Sequence, residues 1–115
     1  GFEKRVIPKL LEQDIGILGM KSLGGGLILD SKAVSATECI QYVMSLPVSS
    51  LITGCDSMRA LRQSIAAAQN FRAWDDAQRS AVLARTKLAA QEKRYELYKT
   101  TDRFDDTDRN PDWVG

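Results

Sequence analysis

The sequence predicts an α/β fold built on a parallel sheet. Two short β-rich runs, 16–20 and 48–53, stand either side of a segment with helical capping and periodicity, and further helical segments flank them. A parallel neighbour needs a crossover, and a helix is the usual one. Hydrophobic residues make up 43% of the chain and charged residues 27%, a balance that supports a packed domain rather than a disordered one.

From Phe2 to Gln13, Val6, Ile7, Leu10 and Leu11 share a face at helical spacing, and Pro8 is tolerated near a first turn. Gly16-Ile17-Leu18-Gly19-Met20 is short, apolar and flanked by glycine, as suits a buried parallel strand. Lys21-Ser22-Leu23-Gly24-Gly25-Gly26 then reads as a loop.

Ser35-Ala36-Thr37-Glu38 has the form of a capping box, in which serine oxygen and glutamate carboxylate satisfy free amides at a helix start. The helix runs through Ser45, with Ile40, Val43 and Met44 inward, and Pro47 ends it. Val48 to Thr53 forms the second strand, closed by Gly54.

Asp56 or Ser57 can cap the next helix, where Met58, Leu61, Ile65 and Ala68 recur at three- and four-residue steps. Asp75 with Gln78 offers a looser capping box leading into a long helix containing Val82, Leu83, Leu88 and Ala89. Residues 1–99 therefore form the folded segment, and 100–115, a largely polar stretch with Pro111 and Trp113 near its end, an irregular tail.

Composition excludes several functions. Sixteen Lys and Arg against fifteen Asp and Glu leave a net charge of +1, no field for nucleic acid or an anionic membrane. No run approaches the ~20 apolar residues of a membrane span, so a soluble, cytoplasmic protein is expected. With no histidine and only Cys39 and Cys55, neither a mixed Cys/His zinc site nor a disulfide framework is expected. The aspartates at 102, 105, 106 and 108 lack the turn glycine and distal glutamate of a calcium loop.

Three segments, 16–26 (GILGMKSLGGG), 46–56 (LPVSSLITGCD) and the tail with Tyr98-Lys-Thr-Thr, Phe104-Asp-Asp-Thr and Asn110-Pro-Asp-Trp113, occur in an order and spacing that resembles bacterial aldo-keto reductases. The resemblance implies the C-terminal part of a (β/α)8 TIM barrel, around strands seven and eight, with about two parallel strands and three to four helices. The family's catalytic Asp, Tyr, Lys and His belong to earlier strands. No residue here inherits them, and the chain alone is expected not to reduce carbonyls.

What the resemblance does imply is binding of NADPH, or NADH, at the strand ends. Ser22, Leu23 and Gly24 would lie beside the pyrophosphate with Lys21 adding charge, where the alternative is a glycine-rich turn and a solvated lysine. Met20 would pack near the nicotinamide or else belong to a core. Gly54, Cys55 and Ser57 would start the adenosine-side loop, and Gln63 and Ser64 would fall near the adenine or be ordinary helix-surface residues. Family members often carry Lys, Ser or Arg for the 2′-phosphate where this chain has Gly54, Cys55 and Ala60. Arg59 or Arg62 would have to substitute, or simply be solvated. A homo-oligomer is also expected, because a two-stranded sheet with apolar faces is marginal in water, and a non-enzymatic oligomer is the competing reading.

Overall fold

The structure, a computed structural model, describes residues 2–92 and 95. Its architecture is α/β and mostly helical. In chain order come α1 (Phe2–Arg5), α2 (Ile7–Glu12), β1 (Leu18–Gly19), a 3-10 segment (Gly24–Ser31), α3 (Ala36–Met44), β2 (Ser50–Leu51), α4 (Met58–Gln69) and α5 (Asp76–Glu92). The calcium-like aspartates and the tail motifs lie outside the described residues.

β1 and β2 pair in parallel, Leu18 opposite Ser50 and Gly19 opposite Leu51. Each strand is shorter than the sequence suggests, yet bonding extends past both ends. The Ser49 amide donates to the Ile17 carbonyl (2.8 Å), the Ile52 amide donates to the Gly19 carbonyl (2.8 Å), and the Ile17 amide donates to Ser49 Oγ (3.1 Å). The crossover is α3. A Cβ added to Gly19 would lie 2.7 Å from Val43 Cγ1, so the absent side chain is what lets the helix lie this close to the strand.

Both ends of α3 are secured by side chains. At its start the Glu38 amide donates to Ser35 Oγ (3.2 Å) and the Ser35 amide donates to Glu38 Oε2 (2.9 Å), completing the capping box. Arg85 of α5 donates to the same carboxylate, tying the last helix to this start. The Arg85 bond chiefly, with the Ser35 amide, holds the Glu38 carboxyl below its ordinary range. Near the far end, Tyr42 Oη donates to the Glu3 carboxylate (3.2 Å) while its ring meets Trp74 edge-on, centroids 6.3 Å apart. Burial first, then the Glu3 charge, pushes the Tyr42 phenol up.

Four expected helices become five because the first is interrupted at Val6. Pro8 has no N–H to donate to the Lys4 carbonyl, although flanking bonds from Val6 to Phe2 (2.9 Å) and Leu10 to Val6 (3.1 Å) keep the chain coiled. The glycine run, read as a loop, falls at the start of the 3-10 segment, where Gly25 and Gly26 depart from helical φ and ψ. The capping pair Asp75 and Gln78 forms in both directions, at 2.7 and 3.0 Å.

The core is small: among the described residues the buried hydrophobics are Ile7, Ile17, Val34, Ile40 and Ala67. α4 packs on α3 through Ala67, 2% exposed, whose carbonyl accepts from Gln41 Nε2 (3.1 Å). This rotates the helix from the expected stripe, leaving Met58 and Ile65 exposed while Leu61 and Ser64 turn inward. Leu83 and Leu88 of α5 are also exposed. No helix among the described residues is long and apolar enough to cross a membrane.

Gly19→Ala is expected to destabilise the fold by about 1–3 kcal/mol, because the β-branched Val43 has few other rotamers to adopt. Urea unfolding measures it. Glu38→Gln is expected to cost under about 1 kcal/mol at neutral pH, given the exposure of the pair. A carboxyl with a depressed folded-state pKa stabilises above its unfolded pKa, and that contribution disappears as pH falls through the folded one. The melting-temperature gap between wild type and variant should therefore close as the solution is acidified.

Candidate nucleotide cleft

Parallel pairing brings the carboxyl ends of β1 and β2 to the same edge of the sheet, so the segments leaving them are neighbours despite some thirty intervening residues. Between them lies a cleft of about 500 Å³, within the roughly 300–1,000 Å³ typical of ligand pockets.

On the first segment Met20, Lys21, Ser22 and Leu23 line the cleft, followed by Gly25 and Gly26. Lys21 adopts φ +56, left-handed backbone that a lysine visits at some cost, although it caps no helix. Gly24, Gly25 and Gly26 continue in positive φ at +56, +71 and +93, and a Cβ at Gly25 or Gly26 would meet nothing within 4 Å. Glycine is therefore required there for its backbone freedom rather than for space. The Gly24 amide donates to the Lys21 carbonyl and the Gly26 amide to the Leu23 carbonyl, both at 2.8 Å. These two amides are committed to the turn, leaving those of Ser22, Leu23 and Gly25 as the loop's candidate anion donors.

The second segment contributes Ile52, Thr53, Gly54, Asp56 and Ser57, and α4 adds Arg59, Ala60 and Gln63. Ser57 caps α4, its Oγ accepting from the Ala60 amide (3.2 Å). Thr53 also borders a second cavity of about 330 Å³ between α3, α4 and β2. Its Oγ1 is buried and has no hydrogen-bond partner among the described residues, a costly state for a hydroxyl.

Eleven residues were expected from the sequence to bind cofactor, and the fold brings most of them together. Met20, Lys21, Ser22, Leu23, Gly54, Ser57, Arg59 and Gln63 line the cleft. Gly24 shapes the turn without lining the wall, and a Cβ on it would stand 3.2 Å from the Tyr95 carbonyl oxygen. Cys55 is exposed outside the wall, and Arg62 also lies outside it. Ser64 borders the smaller cavity instead, because one step along α4 turns a side chain by about 100°. The contacts expected from the sequence include neither Thr53 nor Asp56, both of which line the cleft. The signal available for both was position, at the carboxyl end of a parallel strand.

Comparison with known proteins found no matching family model, no matching curated protein and no matching solved structure. No group of three or more His, Cys, Asp or Glu among the described residues is placed to hold a metal ion.

Lys21→Gly is expected to stabilise the fold by up to about 1 kcal/mol, since glycine adopts this φ without steric cost. A lower urea midpoint than wild type would show that the lysine stem contributes packing that outweighs the strain.

Proposed function

We propose that this chain is the nicotinamide-nucleotide-binding portion of an aldo-keto reductase-like oxidoreductase, corresponding to the C-terminal part of a (β/α)8 barrel. It carries no counterpart of the catalytic Asp, Tyr, Lys and His and is inactive alone. The observation that supports this best is that the two segments singled out by the resemblance, one after each strand, wall a single cleft.

The residues suit a dinucleotide. Lys21 supplies a cation, and the Ser22 and Leu23 amides supply donors beside a backbone that positive-φ glycines keep free of side chains. Those groups would hold the pyrophosphate. The exposed thioether of Met20 would pack on the nicotinamide, and Gln63 would reach toward the adenine. The bound nucleotide supplies hydride chemistry; this chain's residues bind and orient it.

A second reading, a non-enzymatic homo-oligomer, is supported by a different observation. Two strands leave both sheet edges unpaired among the described residues, and Leu18 and Ile52, at or beside them, are 64% and 50% exposed. Another copy would cover such a surface, and so would the remaining strands of a barrel. Light scattering at micromolar concentration separates these readings from an isolated monomer, whose mass would count against the oligomer.

Titration of the purified chain with NADPH and with NADH, followed by nucleotide fluorescence, tests the main proposal. Saturable binding that weakens about five- to fifty-fold in Lys21→Ala, as loss of one charge-assisted contact predicts, supports it. Absence of binding to either nucleotide sinks it.

A further inference from the structure

The cleft contains an acid that the nucleotide reading has not used. Asp56 lines it, three positions before Arg59, and neither takes part in an ion pair among the described residues, where the pairs are Arg79 with Asp76 and Arg85 with Glu38. The other polar side chains that this segment turns to the cleft, Thr53, Ser57 and Gln63, are uncharged. Ser57 Oγ already accepts from the Ala60 amide as the helix cap, Gly54 has no side chain, and Ala60 is apolar. Arg62 lies outside the wall. Asp56 and Arg59 are thus the charged groups that this segment presents to a ligand.

Together they carry no net charge. A ribose with both hydroxyls free can donate to a carboxylate at no electrostatic cost, and a short acidic side chain is the usual device for recognising that diol. A 2′-phosphate brings nearly two negative charges beside Asp56, and Arg59 offsets only part of the repulsion. Arg59 is exposed, as Asp56 is, and its long stem in the first turn of α4 lets the guanidinium swing away from a bound phosphate.

We infer that Asp56 selects an unphosphorylated adenosine ribose, so that the cleft takes NADH in preference to NADPH. The inference rests on the reading that a nicotinamide dinucleotide fills the cleft. Gly54 adds a corollary: a Cβ there would meet nothing within 4 Å, so the site has room for the cation it lacks.

The test is a fluorescence titration of wild type, Asp56→Asn, Asp56→Ser and Gly54→Lys with each nucleotide, with thermal melts to verify folding. The expected result is a wild-type Kd for NADPH about tenfold or more above that for NADH. Both Asp56 variants should gain about ten- to a hundred-fold in the NADPH to NADH ratio, the range expected for removing one unit charge near the phosphate. Gly54→Lys should move the ratio the same way. Wild type that binds NADPH as tightly as NADH, or a ratio unmoved in both folded Asp56 variants, overturns the inference and leaves the proposed function standing. Failure of wild type to bind either nucleotide overturns both.

Discussion

The close approach of α3 to β1 at Gly19 is the constraint on which the rest of this fold depends. Parallel strands cannot be joined by a tight turn, so the chain must leave the end of β1, cross over the sheet and re-enter beside its start. The crossover helix can lie against so short a sheet because the strand has no side chain where Val43 arrives. Once α3 is seated, β2 falls into register with β1, and the two strand ends that matter for a ligand lie side by side.

Polar links as well as packing join the helices around this unit to α3. Glu38 joins α5 to its start, Tyr42 gathers Glu3 and Trp74 near its end, and Gln41 reaches the α4 backbone. Hydrophobic burial adds a small core, five residues among those described, while larger apolar side chains such as Met58, Ile65 and Leu88 stay exposed. A structure with this balance has surface that a partner could cover. The same property supports both the barrel-fragment reading and the oligomer reading, since each provides a neighbour for those faces.

Two local energetic costs fall on residues that line the cleft. Lys21 occupies left-handed backbone without serving as a helix cap, and Thr53 buries an unpartnered hydroxyl. Either alone has a structural explanation within reach. Both residues line one cleft, and local costs of this kind cluster at sites that bind ligands.

The sequence by itself determined the local events. The Ser35 and Asp75 capping boxes, the Ser57 cap and the placement of two strands either side of α3 are all written in short-range patterns, because a side-chain oxygen three residues from an amide has few other partners. The same is true of the glycine run, whose positive φ angles depend on residue type. What only the tertiary structure decided were the faces and the company of residues. The sequence stripe on α4 named Met58 and Ile65, but packing against α3 favoured the small Ala67 and rotated the helix, sending Ser64 to a different cavity from Gln63. It likewise brought Asp56 into one cleft with Lys21. Helical periodicity fixes which residues share a face, whereas the neighbour that approaches fixes which face is buried, and that neighbour comes from elsewhere in the chain.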